Sequence, residues 1–191
     1  VGSVGFGGFF AVYSYIAEVT TRETGLPTSA VPWVLACLGV GMTIGNFLGG
    51  WATDRHATRT VTWGFSAFIL ALLAYTQFAS SPVGLVLTAF VIGITSSALI
   101  PSIQTRLIRI SDEAALLGAA VNHAAFNIGN SLGAWLGGLV IAGGFGYLAP
   151  GWVGVLLAGL GFGLAVVSVV VERRDKSRNL NTIGIPTIAT E

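Results

Sequence analysis

Charge is missing from most of this chain, and its placement decides what the chain can fold into. Nine Lys/Arg and eight Asp/Glu gather into five clusters. These are Glu18, Arg22 and Glu23; Asp54, Arg55 and Arg59; Arg106, Arg109, Asp112 and Glu113; the run from Glu172 to Arg178; and Glu191 at the end. The tracts between them are uncharged. Bilayer hydrocarbon is about 30 Å thick and an α-helix rises about 1.5 Å per residue, so about 20 apolar residues cross it. The tracts supply six such lengths, at about 1–17, 31–53, 60–78, 83–105, 115–142 and 151–171. A soluble domain carries about 25% charged residues, whereas this chain has 9% charged and 53% hydrophobic residues. The expected fold is therefore all-α: a polytopic membrane bundle of six transmembrane helices, occupying 1–171, with a polar tail at 172–191.

The same arithmetic excludes other classes. The 27 glycines follow no collagen period, and the apolar fraction is too high for disorder. A net charge of +1 provides no field for nucleic acid. Cys37 stands alone, and no His- or Cys-rich tract suggests a metal. Neither a cofactor nor a catalytic residue is expected.

Turns complete the span count. Ser80-Ser81-Pro82 divides the third tract from the fourth, and Gly143-Gly144-Phe145-Gly146 the fifth from the sixth. Pro32, Pro82 and Pro150 fall at span starts, where a missing N–H costs least. Ser111 before Asp112 and Glu113 reads as a helix N-cap. Trp33, Trp51, Trp63 and Trp152 fall near span ends, as in an aromatic belt. If the loops alternate, Arg55, Arg59, Arg106, Arg109, Arg173, Arg174, Lys176 and Arg178 share one side and only Arg22 lies on the other. The positive-inside rule then puts both ends of the chain, and the tail, in the cytoplasm of a multi-pass cell-membrane protein. The first span begins at Val1 with no basic region before it, unlike a signal peptide. The simplest expectation is a chain cut from a longer one near the start of a helix.

Two small-residue stripes recur at four-residue spacing: Gly41, Gly45 and Gly49 on the second span, and Ala125, Gly129, Gly133 and Gly137 on the fifth. Such stripes let helix backbones approach closely where lipid offers no hydrophobic drive for association. On the fifth span His123, Asn127 and Asn130 fall within about 60° of one another at 100° per residue. Lipid cannot satisfy a polar stripe, so it lines a cavity or bonds to neighbouring helices, and both readings stay open. His123 is the only clearly intramembrane side chain that titrates near neutrality; it reads as structural or substrate-orienting, or as a proton carrier. Tyr13, Tyr15, Asn46 and Gln104 are weaker cavity candidates, with packing or belt roles as the alternative. Gln104 shares a face with Ser97 and Gly93, and Pro101 between them can free backbone carbonyls. Every acid falls at a span end, in a loop or in the tail, and Glu18 reads as an exposed carboxylate at the mouth of the first span.

The run from Gly45 to Arg59 resembles the signature loop of the major facilitator superfamily, G-x-x-x-D-R-x-G-R-R/K. Gly50, Asp54, Arg55 and Arg59 match it, and Ala57 departs from the usual glycine. The stretch from Gly7 to Ala17 is similar to the seventh helix of twelve-span efflux permeases of the drug, arabinose and purine branch, and the stretch from Asn122 to Gly138 to their eleventh. Glu18 stands where relatives commonly have proline. The resemblance reaches to about Arg174. It implies the carboxy-terminal half of such a permease, built as 3+3 inverted repeats, whose partner is a missing amino-terminal half. Implied with it are export of a small organic solute by alternating access, with proton antiport, and a monomeric state at full length. It also implies that the two glycine-bearing helices pack across the interface with that half. Asp54, Arg55 and Arg59 would then make contacts in one state and break them in the other, biasing the two populations; the alternative is a solvated, topology-setting cluster.

Two other classes compete. Gly129-Asn130-Ser131-Leu132-Gly133 spells the G-x-S-x-G of many hydrolases. His123, however, is eight residues from Ser131, about 12 Å along one helix, and His56 lies in a loop, so an intramembrane serine hydrolase lacks its base. The remaining rival is a six-span half-transporter or channel that acts as a homo-oligomer.

Overall fold

A computed structural model describes residues 1–111 and 115–182; Asp112 and Glu113 of the expected cap and the end of the tail lie outside the described residues. Its elements are helical: α1 (Gly2–Tyr13), α2 (Ile16–Glu18), a π-helical turn (Val19–Glu23), a 3-10 turn (Thr28–Ala30), α3 (Val31–Phe78), α4 (Pro82–Ser111), α5 (Ala115–Ala142) and α6 (Ala149–Thr182). Among the described residues, four helical stretches are long and apolar enough to cross a membrane: Thr28–Phe78, Pro82–Leu107, Ala120–Ala142 and Ala149–Val171.

The segment Asp54–Arg59, expected as a loop, is helical except at one residue. His56 alone leaves helical geometry, at φ −151° and ψ 74°, within the 48 residues of α3. The chain nevertheless reverses there. A Cβ on Gly41, Gly45 or Gly49 would strike the carbonyls of Phe90, Ile94 and Ala98, a parallel register, whereas Gly64 faces Leu99 and Gly84 faces Phe78, an antiparallel one. The arms 31–55 and 57–78 are thus two crossings joined at one residue.

The first expected span is also interrupted. α1 ends at Tyr13, and Tyr15 leaves helical geometry at φ −117° and ψ 13°. Helical backbone then resumes through Glu23, so that residues 2–23 together approach the thickness of the hydrocarbon. Ser81 ends the next turn as a cap, its Oγ accepting from the Gly84 N–H at 3.1 Å, with Pro82 following. In the last turn Gly144 and Gly146 hold φ of 81° and 86°, which residues with a Cβ rarely adopt.

Buried side chains from α1, both arms of α3, α4 and α6 form one core, including Phe6, Phe9, Leu38, Phe65, Leu72, Leu85, Ile92 and Leu99. Many large apolar residues instead face outward, among them Leu70, Leu156 and Leu160, as lipid-facing positions must. The glycines set the helix separations. α4 sits on the Gly41–Gly45–Gly49 stripe, with Gly93 returning the contact against the Leu38 carbonyl. α5 sits on α1 through Gly133 against the Gly7 carbonyl and Gly7 against the Gly129 carbonyl. The resemblance implies that these two helices pack across the interface with the missing half; the glycine stripes themselves meet helices of this chain.

Because overpacking typically costs about 1–3 kcal/mol, Gly45→Ala is expected to lower the thermal unfolding temperature in detergent. Gly39→Ala, on the same arm but facing open space, should leave it nearly unchanged. Equal effects would show that the stripe does not set the α3–α4 distance.

Candidate functional site

The polar residues of the spans separate into those the chain satisfies itself and those it leaves uncovered. His123, Asn127 and Asn130 are all exposed along one sector of α5, beside the glycines that bury α5 against α1. Asn130 shares a concavity of about 390 Å³ with Tyr13, Ser14 and Leu35, at the break between α1 and α2. Tyr13 is held there by its ring, stacked on buried Phe9 with centroids 5.4 Å apart and planes 20° from parallel. Phe9 in turn meets Phe6, which packs on Phe126 of α5 at 4.7 Å. Asn46 is exposed as well. It lies eleven residues, about three turns, beyond Leu35, hence within about 20° of the same face and about 16 Å further along.

Tyr15 goes elsewhere. Its hydroxyl donates to the Ala134 carbonyl at 2.6 Å, and its ring fills the space beside Gly137 and Gly138. Gln104 is half-buried, eleven residues and so about three turns beyond Gly93 on α4. Pro101 lies inside α4, so the Ser97 carbonyl loses its usual donor. The Ser97 hydroxyl is also buried without a hydrogen-bond partner. The structure thus brings Tyr13 and Asn130 together, aligns His123, Asn127 and Asn130, and turns the Tyr15 hydroxyl to Ala134 instead.

At the reversal of α3, Asp54, Arg55 and Arg59 are exposed, and none makes an ion pair among the described residues. Arg55 instead lies over the Trp51 ring, 3.7 Å from its centroid. A Cβ on Gly50 would meet nothing within 4 Å. The opposite end of the bundle is tied together: Glu23 Oε1 accepts from the Tyr147 N–H at 3.3 Å, and the Arg22 guanidinium lies 5.4 Å from the Tyr147 ring.

Two features escaped the sequence reading. Glu18, expected as an exposed carboxylate, has Oε2 buried with no hydrogen-bond partner, because the helical backbone continues past it through Glu23 and carries it inward. Asn122, the neighbour of His123, is 3% exposed and lines a cavity of about 280 Å³ with Arg106, Val121, Ala125 and Ser168. Arg106 Nη2 donates to Ser168 Oγ there at 3.4 Å. The 3.6-residue period alone separates Asn122 from His123 by 100°, but which of the two turns inward depends on where α1 docks.

A family model described as Major Facilitator Superfamily matches residues 1–191. The inner membrane transport protein YdhP of Escherichia coli is 36% identical over 165 residues, covering 86% of this chain and 42% of the relative. The MFS-type transporter YfhI of Bacillus subtilis is 28% identical over 174 residues, covering 90% and 43% respectively. A chloramphenicol resistance protein of Streptomyces lividans is 26% identical over 148 residues, covering 78% and 38%. The chain thus spans about two-fifths of the length of these relatives. No solved structure matches it.

Removing the Tyr15 hydroxyl takes away one interhelical bond, worth about 0.6 kcal/mol in membranes. Tyr15→Phe is therefore expected to lower stability in detergent slightly. In the full-length protein transport should persist, and its loss would return Tyr15 to the cavity.

Proposed function

The chain belongs to the major facilitator superfamily, and from that premise we propose that it is the carboxy-terminal six-helix half of an exporter of small organic solutes. In this reading the half consists of 1–171, built as 3+3 inverted repeats, followed by a cytoplasmic tail at 172–191. The exporter works by alternating access and is driven by proton antiport.

The exposed strip of His123, Asn127 and Asn130, joined by Tyr13 at the α1–α2 break, carries the proposal. Lipid would leave these groups without hydrogen bonds, so the strip faces either further helices or a water-filled passage between two halves. A broken helix beside it is a common setting for a transporter binding site, and π turns such as Val19–Glu23 often mark functional positions. The name of the chloramphenicol resistance relative supports a drug or similar neutral organic molecule as substrate. Asn side chains and tyrosine rings suit such a molecule better than a charged metabolite. Asp54, with Arg55, Arg59 and Gly50, forms the latch at the α3 reversal, the Asp54 carboxylate taking its partner from the other half.

Efflux from cells expressing the full-length protein, with and without a proton gradient, tests this reading. Asn127→Ala should cut efflux of the preferred solute while the protein still reaches the membrane. Asp54→Asn should leave expression near normal and lower the rate about tenfold, since a charge-assisted contact is worth about 1.5–3 kcal/mol. Unchanged rates in both variants would sink the cavity and the latch together. Reporters fused at Arg55 and Arg106 should mark the same, cytoplasmic, side.

A further inference from the structure

We propose that the groove between the two arms of α3 and the side of α4 holds one anionic phospholipid, its acyl chain along the groove wall and its phosphate between Arg55 and Arg59. This rests on the membrane placement of the helices and not on the transport reading.

The groove has a volume of about 440 Å³, and its wall is apolar, including Leu48, Ala67, Ile94 and Ala98. Its mouth lies where α3 reverses, with Arg55, His56 and Arg59 at the rim between Trp51 and Trp63. No acidic side chain lines it among the described residues. Trp51 and Trp63 are 61% and 74% exposed, so no helix described here covers the groove. Tryptophan belongs at the level of lipid headgroups. The groove therefore begins at the headgroup layer and extends toward the hydrocarbon.

Charge complementarity selects the occupant. Two guanidinium groups without carboxylate partners among the described residues sit at the edge of an apolar channel, and Arg55 lies over Trp51 at 3.7 Å. A zwitterionic headgroup brings its own cation to that rim; an anionic one does not. Arginine can bind a phosphate through two parallel N–H donors, and basic pockets between transmembrane helices suit anionic headgroups. A neutral helix from elsewhere in the protein would cover the wall but offer the two arginines no anion.

The test uses the full-length protein in nanodiscs of mixed phosphatidylglycerol and phosphatidylcholine, with retained lipid read by native mass spectrometry. The wild type should keep one phosphatidylglycerol in preference to phosphatidylcholine. Each of Arg55→Gln and Arg59→Gln should lower that preference about fivefold, the worth of one basic side chain at an anionic surface. Lysine at both positions should preserve most of it. Ala67→Phe, which leaves the charges in place and fills the wall, should also abolish retention. Equal retention of the two lipids by the wild type would overturn the proposal, as would an undiminished preference in Ala67→Phe. A photo-crosslinking residue at Trp63 should capture lipid; capture of another part of the same protein would assign the groove to a protein partner and overturn it as well.

Discussion

Helix separation in this molecule depends on backbone-to-backbone contact at glycine. In water, apolar side chains drive helices together, but in lipid that drive vanishes and dispersion at close range must replace it. Gly41, Gly45 and Gly49 meet the carbonyls of Phe90, Ile94 and Ala98, and Gly7 and Gly133 bring α1 and α5 equally close. With those distances set, the aromatic series Phe126–Phe6–Phe9–Tyr13 and the core around Phe65 and Leu72 fill the remaining space. Larger residues at the stripes would separate α4 from α3 and α5 from α1, and the Tyr13–Asn130 concavity would lose its walls.

That arrangement uses up the small residues inside the chain and leaves polar ones outside it. His123, Asn127 and Asn130 stand exposed on α5 while the adjoining glycines are buried, so one helix presents a packing edge and a polar edge about a quarter-turn apart. The two ends of the bundle contrast as well. Around Tyr147 the Arg22–Glu23 pair ties a turn to the first helical segment, whereas at His56 the charges have no ionic partner among the described residues. An end already tied suits a fixed support, and an end with unpaired charge suits contacts that come from elsewhere, whether another half or a lipid.

The structure and the sequence reading part company at particular residues. The apolar tracts, the turn at Ser80-Ser81-Pro82 and the glycine turn at 143–146 were legible because each is local: a charge-free length, a proline where a helix can start, a run of glycines where φ can be positive. Asp54–Arg59 read as a loop because polar residues cluster there, yet the reversal takes a single non-helical residue, His56. Tyr13 and Tyr15 looked equivalent. Only the break after Tyr13 turns one ring to the concavity and the other hydroxyl to Ala134. Glu18 read as exposed because the span was expected to end at residue 17, and the helical extension beyond it was not signalled by hydropathy.

Whether a segment lies in lipid or water follows from each residue's own transfer free energy, so the sequence alone determined that this chain is a polytopic helical membrane protein. Which neighbour a stripe meets is a property of pairs of helices. The tertiary structure alone decided that the glycines are spent inside the chain, that Asn122 is buried while His123 is not, and that Arg55 rests on Trp51. Those outcomes turn on rotations of tens of degrees and shifts of a few ångströms between helices, and no one-dimensional pattern encodes them.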